Sequence, residues 1–305
     1  MKVTKRQYLP AGLWVVATPI GNLEDLSPRA KQALEEADLI VCEDTRRTGA
    51  LLSALGIPGS TVKLDRLDAH TEVQKIPLWM RRLEDGSSLA LVTDAGTPAI
   101  SDPGAALTAA AKQAGVRITP VPGPSAVVAL LSVSGFLDAS FTFRGFFPRK
   151  TKDQEKEIEL ASRSPLSSVY LWYESPLRIE DSLTQIAVQF PQVQTVVAKE
   201  LTKIHERLFY GTADEVRLQV IKELETEGRV GEWSFSIQFP KTNPTLSEAR
   251  DEDGNEAGWI KAIRCLLEFK VPVSETAAKV SQEFGIPKNK VYQASLEIKG
   301  KKSSS

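Results

Sequence analysis

Short apolar runs alternate with amphipathic segments along the first part of the chain. Each apolar run has the length of a buried strand, and these runs lie at 14–17, 39–42, 89–92 and 117–121. The segments between and after them place apolar residues at helical spacing. Predicted helices begin at Pro28, capped by Ser27, and cover 45–55, 72–85, 105–114 and 125–134. Strands that alternate with helices in this way favour an α/β domain with a largely parallel sheet.

The pattern changes after Gly135, and the segment R-G-F-F-P-R-K-T-K at 144–152 indicates a crossing between two domains. Beyond it, the pattern predicts a second α/β domain that is richer in strands. Its predicted helices are 152–162, 177–189 and 213–225, and its predicted strands are 168–173, 193–198, 207–211 and 233–239. Polar and apolar residues alternate in the last of these, which favours an antiparallel strand with one face in solvent.

A small helical unit follows the second domain. Residues 240–256 combine turn-forming and acidic residues with little apolar content, as in a linker. Helices are predicted at 257–269, at 274–284 with Ser274 as N-cap and Gly285 as stop, and after Pro287. The predicted division is an N-terminal arm, two α/β domains, a linker and a helical extension, with bounds 1–12, 13–138, 139–240, 241–256 and 257–305.

Composition narrows the class of protein. Apolar residues make up 42% and charged residues 25% of the 305 residues, as in an ordinary globular protein. No apolar run reaches about 18 residues, so we expect no membrane span, and the N-terminus lacks the apolar core of a signal peptide. The two cysteines, Cys42 and Cys265, predict a reducing, cytoplasmic compartment without disulfides.

Charge and histidine content bear on partners and metals. The formal net charge is −1, so overall electrostatics do not indicate a nucleic-acid partner, and any basic surface must be local. With only two histidines, His70 and His205, a Cys/His metal site is disfavoured, and we expect no metal. A carboxylate-only magnesium site stays open.

Four predicted strands of the first domain end in loops rich in glycine, proline and carboxylates. These loops are 18–22, 43–47, 94–104 and 122–126. Ligands of parallel α/β sheets bind beyond the carboxyl ends of the strands, so the four loops together predict a small-molecule pocket. The chain contains no G-x-G-x-x-G after a strand, no G-x-x-x-x-G-K-[ST] and no G-x-S-x-G, which argues against dinucleotide, P-loop and serine hydrolase sites.

Six blocks in one order resemble a known family. They read T-P-I-G-N-L-E-D, E-D-T-R, D-A-G-T-P-A-I-S-D-P-G, P-G-P-S-A, Y-E-S-P-L-R and E-L-T-K-I-H-E. They are similar to the bacterial ribosomal RNA small-subunit methyltransferase I family (16S rRNA cytidine 2′-O-methyltransferases) of the tetrapyrrole methylase superfamily. The resemblance covers about 13–239, and the tail resembles the helix-turn-helix-like extension of the same family.

The resemblance implies a fold, a reaction and partners. It implies two α/β domains of the tetrapyrrole methylase type plus a small C-terminal helical unit. It implies that S-adenosylmethionine, bound between the domains, methylates the ribose 2′-hydroxyl of a cytidine near the decoding centre. The implied partners are 16S rRNA, naked or in the small ribosomal subunit, and a second copy of the chain in a homodimer.

The resemblance also implies which residues hold the methyl donor. The superfamily G-D-P loop falls on Gly96, Thr97 and Pro98, so that Thr97 stands where the superfamily has aspartate. The full set assigned to the donor is Pro19, Gly21, Asp94, Gly96, Thr97, Pro98, Ile100, Asp102, Ser125, Ala126, Tyr173 and Ala198.

The base that accepts the hydroxyl proton and the RNA contacts are left as sets of candidates. The proton acceptor candidates are Asp44, Glu43, Glu174 and Glu200. The candidate RNA contacts are Arg46, Arg47, Arg178 and Lys203, with ordinary ion pairs as the alternative. Aromatic residues that could stack on a flipped base, or belong to the core, are Phe146, Phe147, Trp172 and Tyr173.

Two further segments leave alternatives open. The helical extension offers Lys279, Lys288 and Lys290 for phosphate contacts, or is a plain packing module. Residues 66–72 read R-L-D-A-H-T-E and retain His70 and Glu72, but depart from the H-E-H-N-E typical of the family. The rival interpretations of the whole chain are a small-molecule methyltransferase of the tetrapyrrole type and a non-catalytic RNA-binding protein that has kept the fold.

Overall fold

The computed structural model describes residues 9–60, 62–67, 72–137, 140–163, 168–240, 258–269 and 271–302. These residues form two five-stranded sheets with flanking helices, followed by a cluster of three helices. The predicted class of two α/β units and a helical extension is therefore confirmed. The predicted linker and His70 lie outside the described residues. No helix within the described ranges is long and apolar enough to cross a membrane.

The first sheet is entirely parallel, as predicted, and its strand order is β3-β2-β4-β1-β5. Its strands are β1 (Gly12–Val16), β2 (Leu39–Cys42), β3 (Leu64–Arg66), β4 (Ser88–Val92) and β5 (Ile118–Val121). Its helices are α1 (Pro28–Glu36), α2 (Thr45–Ala54), α3 (Glu72–Glu84), α4 (Ala105–Gln113) and α5 (Ala126–Ser134). The sequence pattern missed β3, because this three-residue edge strand contains a single apolar residue.

Local signals account for the helix bounds in this unit. The Ser27 hydroxyl accepts a hydrogen bond from the Ala30 N–H (3.1 Å), and Pro28 occupies the first turn of α1, as predicted. Gly135 ends α5 in the left-handed conformation (φ +70°), which glycine adopts without a steric penalty.

The second sheet is mixed, with the order β6-β7-β10-β8-β9. Its strands are β6 (Phe141–Phe146), β7 (Val169–Glu174), β8 (Gln194–Lys199), β9 (Arg207–Thr212) and β10 (Trp233–Gln238). Its helices are α6 (Thr151–Ser162), α7 (Ile179–Gln189) and α8 (Ala213–Glu227). The predicted crossing at 144–152 was wrong in part, because its first residues belong to strand β6, which pairs with β7 in parallel.

Strand β10 is antiparallel to both neighbours, as predicted, but the expectation of one wet face was wrong. Trp233, Phe235 and Ile237 point into the core under helices α6, α7 and α8. Ser234 and Ser236 lie on the opposite face and are also buried. The reason is that helix α5 of the first unit covers this face, where Val127 and Leu130 pack with apolar residues of β7 and β8.

The three C-terminal helices have a core of their own. They are α9 (Gly258–Glu268), α10 (Val273–Phe284) and α11 (Lys288–Lys302), and they bury Ile263, Val280 and Val291 between them. Gly285 ends α10 as predicted, with φ +61°. Ser274 is not the N-cap, because α10 begins one residue earlier, at Val273, and Pro272 precedes it.

Candidate functional site

The four loops at the carboxyl ends of β1, β2, β4 and β5 meet at one edge of the first sheet. Thr18 and Gly96 exchange two backbone hydrogen bonds (2.9 and 3.1 Å) that join the first loop to the third. The Thr97 hydroxyl donates to the Pro124 carbonyl (3.1 Å), which joins the third loop to the fourth. The Asp44 N–H donates to the Asp94 carboxylate (3.1 Å), which joins the second to the third. The four loops therefore form one connected surface.

A cavity of about 440 Å³ lies between this surface and the second sheet. We call it the cleft. Its floor contains the buried residues Gly96, Trp233 and Ser234, whereas Ile100 and Phe146 are exposed on its rim. The residues that line it are Ile20, Glu43, Arg47, Asp94–Thr97, Ile100–Asp102, Ser125, Ala126, Phe146, Tyr173–Pro176, Leu201 and Gly231–Ser234.

Backbone strain is concentrated at the cleft. Four described non-glycine residues have positive φ: Ala99 (+66°), Ser101 (+65°), Glu200 (+56°) and Thr202 (+66°). Two lie in the loop 94–104 and two in the loop that follows β8, which contributes Leu201 to the cleft. Left-handed backbone at such residues costs about 1–3 kcal/mol each and is typical of functional sites, where surrounding structure maintains it.

The first and second units touch closely at Gly21. The Asn22 N–H donates to the Thr202 hydroxyl (3.0 Å). A Cβ at Gly21 would lie 2.4 Å from Cγ of Lys203 and 2.9 Å from the Leu201 carbonyl oxygen. Only a glycine therefore allows the loop 18–22 to approach the loop 200–203 at this distance.

Three carboxylates of the first unit face the cleft: Glu43, Asp94 and Asp102. The Thr93 hydroxyl donates to Glu43 (3.1 Å). Burial, reinforced by the negative charge of Glu43, raises the pKa of Asp102 to about 6. The charge of Glu43 therefore acts on Asp102 within the cleft. Asp94 is held by an ion pair with Arg47 (3.2 Å).

The second unit contributes two carboxylates to the cleft: Glu232, which is mostly exposed and pairs with Lys203 (3.2 Å), and Glu174, whose oxygens are already engaged. Glu174 accepts hydrogen bonds from the Ser182 hydroxyl and the Ser175 N–H (both 2.7 Å) and an ion pair from Arg178. Burial raises the pKa of Glu174, against the opposing effect of these partners. These contacts of the Glu174 carboxylate hold the turn 174–176 at the end of β7.

The structure brings together eight of the twelve residues that were assigned to the donor. They are Asp94, Gly96, Thr97, Ile100, Asp102, Ser125, Ala126 and Tyr173. The other four do not line the cleft. Gly21 packs against the loop 200–203, and Ala198 is buried beneath helix α5. Pro19 and Pro98 lie within the loops that border the cleft.

Two of the four candidate proton acceptors line the cleft and two do not. Glu43 and Glu174 line the cleft. Asp44 caps helix α2 through the Arg46 N–H (2.8 Å), and hydrogen bonds from Arg46 hold the pKa of its carboxyl well below its usual range. Glu200 accepts from the Glu232 N–H and from Lys203 (both 2.8 Å), so it ties its loop to the start of β10.

Each of the four candidate RNA-binding cations already has a carboxylate partner. Arg47, which lines the cleft, pairs with Asp94, and Arg46 pairs with Asp44 (2.7 Å). Arg178 pairs with Glu174, and Lys203 with Glu200. Arg46 and Arg47 remain largely exposed, so their guanidinium groups retain donors on the solvent side.

Sequence reasoning did not assign several cleft residues of the second unit, most of which lie at the start of β10. These residues are Ser175, Pro176, Leu201, Gly231, Glu232, Trp233 and Ser234. The rule of carboxyl strand ends applies to parallel strands, whereas β10 runs antiparallel and reaches the cleft with its amino end. The available signal was the G-E-W-S segment at 231–234, where this strand begins.

Comparisons with known proteins agree with this architecture. Residues 12–217 match the model of the family described as Tetrapyrrole (Corrin/Porphyrin) Methylases. Ribosomal RNA small subunit methyltransferase I of Xylella fastidiosa is 40% identical over 284 residues, which cover 93% of this chain and 98% of that protein. The protein of the same name from Escherichia coli O157:H7 is 36% identical and covers 94% of this chain and 96% of its own length.

Solved structures show the same fold. The methyltransferase CobJ superposes with a TM-score of 0.54 at 18% identity, over 76% of this chain and 95% of that chain. Diphthine synthase superposes with a TM-score of 0.52 at 14% identity, over 74% of this chain and 89% of that chain. At these identities the likeness concerns the fold alone.

We expect Gly21→Ala to reduce the free energy of unfolding by about 1–3 kcal/mol, because the added methyl group overlaps the loop 200–203. Urea denaturation measures it. The matched control is Gly49→Ala in helix α2, where a Cβ meets nothing within 4 Å and alanine favours the helix. Equal stabilities of the two variants would contradict the close approach at Gly21.

We expect Asp102→Asn to be more stable than the wild type at pH 8, by about 1–2 kcal/mol after allowance for solvent screening. The folded pKa of Asp102, about 6, lies above the ordinary value of 3.8, so the ionised carboxylate costs stability above pH 6. This cost shrinks as the pH falls through 6 and vanishes below about 4. Urea denaturation at pH 8 and pH 4 measures the difference, and an advantage that does not depend on pH would rule out the shifted pKa.

Proposed function

The chain belongs to the tetrapyrrole methylase family and, within it, to the ribosomal RNA small subunit methyltransferase I proteins, and on this premise we propose that it methylates 16S rRNA. The proposed reaction moves a methyl group from S-adenosylmethionine to the ribose 2′-hydroxyl of a cytidine near the decoding centre. The observation that carries the proposal is the cleft, where loops of both sheets bring carboxylates and a helix N-terminus together.

The residues of the cleft fit the methyl donor. S-adenosylmethionine supplies an electrophilic methyl group on a cationic sulfonium, together with an amino-acid carboxylate. The carboxylates of Glu43, Asp94 and Asp102 give the cleft a negative potential that favours a cation. Ser125 and Ala126 present the N-terminus of helix α5, whose free N–H groups bind a carboxylate. The backbone of Gly96 and Thr97 lines the floor of the cleft.

We assign proton acceptance to the pair Glu43 and Asp102. As the new oxygen–methyl bond forms and the sulfur–methyl bond breaks, the 2′-hydroxyl loses its proton to a carboxylate oxygen of this pair. A carboxylate with a pKa of about 6 is a stronger base than an ordinary aspartate and is still ionised at neutral pH. The Thr93 hydroxyl donates to Glu43 and so orients its carboxylate. Glu174 and Glu200 instead stabilise loops, because hydrogen bonds already engage their carboxylates.

RNA binding is proposed for the exposed cations at the cleft and for the helical extension. Arg46 and Arg47 retain solvent-facing donors next to the cleft. In the extension, Lys290 lies over the ring of Trp259 at 5.9 Å, and Lys279 pairs with Glu275 (2.8 Å). The homodimer remains a prediction from the family resemblance, which sedimentation would test, and the cytoplasmic location remains a prediction from the cysteine content.

The test is methyl transfer from labelled S-adenosylmethionine to small ribosomal subunits that lack the modification, with naked 16S rRNA in parallel. We expect one labelled nucleotide, identified as 2′-O-methylcytidine by its resistance to alkali. Donor binding without label on either substrate would contradict the proposal and favour a small-molecule methyltransferase or a non-catalytic RNA-binding protein.

Variants in the same assay test the assignment of the proton acceptor. Glu43→Gln and Asp102→Asn should each lower kcat by about 10²–10⁴, because proton acceptance contributes a factor of that size. Binding of S-adenosylhomocysteine, measured by calorimetry, should persist in at least one of them. The control is Glu159→Gln on helix α6, a surface carboxylate paired with Arg163. A kcat equal to that of the control would remove the pair from the mechanism.

A further inference from the structure

One aromatic residue of the cleft is exposed to solvent. Phe146, the last residue of β6, lines the cleft and keeps 61% of its surface accessible. The neighbouring Phe147 and Trp172 are fully buried in the core of the second unit, and Trp233 is buried at the cleft floor. Most of the Phe146 ring is therefore free to contact a ligand that enters the cleft.

A bulge in β6 directs Phe146 to the cleft. Phe143 pairs with Leu171, and the next pair joins Phe146 to Tyr173, so two residues of β6 stand opposite Trp172. Regular alternation would place Gly145 on the cleft face and turn the side chain of residue 146 toward the opposite face. The extra residue of the bulge instead places the side chain of Phe146 on the cleft face. Bulges of this kind commonly redirect a side chain beside a functional site. Gly145 accommodates it with φ +73°.

The ring of Phe146 packs against one aromatic neighbour. Tyr173 contacts Phe146 edge-on, with 5.7 Å between ring centroids, and Phe143 supports Tyr173 at 4.9 Å. A Cβ on Gly145 would lie 3.6 Å from the Ser101 hydroxyl, so the bulge packs beside the loop that carries Asp102. The negative charge of Asp102 also acts on the Tyr173 hydroxyl. The ring of Phe146 thus lines the same cleft as the proposed proton acceptors Glu43 and Asp102.

We propose that Phe146 is the platform on which the base of the target nucleotide stacks while its ribose enters the cleft. The inference rests on the proposed function and adds the residue that positions the RNA. The rim location suits the substrate, which arrives from solvent, whereas Gly96 and the N-terminus of α5 suit the donor. Every base has a flat face that stacks on an aromatic ring. Arg47 at the rim offers the charge that an adjacent phosphate requires.

The test compares Phe146→Met, which removes the ring and keeps an apolar side chain, with Phe146→Tyr, which keeps the ring. The matched control is Phe141→Met at the other end of β6, where 46% of the side chain is exposed. For each protein, kcat and KM for small ribosomal subunits, the Kd of S-adenosylhomocysteine and the midpoint of thermal unfolding are measured.

We expect Phe146→Met to raise KM for the subunit about tenfold or more while Kd and the unfolding midpoint stay at wild-type values. Phe146→Tyr should restore KM to within about threefold, and Phe141→Met should leave it unchanged. Wild-type KM in Phe146→Met, or a loss confined to S-adenosylhomocysteine binding, would overturn the inference. A wild-type protein that transfers no methyl group would instead overturn the proposed function.

Discussion

Packing of helix α5 against the second sheet determines the shape of the cleft. Val127 and Leu130 cover the face of that sheet which carries Ser234 and Ser236, so β10 is buried on both sides. The same helix begins at the fourth loop of the first sheet, where Ser125 and Ala126 line the cleft. One helix therefore sets the distance between the two walls. The close approach of Gly21 to the loop 200–203 fixes the other side of the contact.

Electrostatics then give the cleft its chemistry. Three carboxylates from two loops share a partly buried volume, and their environments differ. Asp94 has Arg47 as a partner and Glu43 accepts from the Thr93 hydroxyl, whereas the pKa of Asp102 rises as a result of burial and of the charge on Glu43. A bound cation would relieve the repulsion between Glu43 and Asp102, which is the physical link between this site and a sulfonium donor.

The sequence predicted the parallel sheet and the meeting of its four loops, because apolar runs and helix signals are local and the carboxyl-end rule is general. It could not predict that Gly21 contacts the second unit, since that depends on how two units pack. It also missed β3, which has a single apolar residue, and the approach of β10 to the cleft. The exposure of Phe146 follows from a one-residue bulge, and alternation along β6 alone would have placed Gly145 at that position instead.

Hydrogen exchange with and without S-adenosylhomocysteine tests most directly whether both sheets build one donor site. The account predicts slower exchange at amides of 94–97 and 125–126 in the first unit and of 231–234 in the second, all at the same ligand concentration. Protection confined to one unit, or located only away from the cleft, would contradict it.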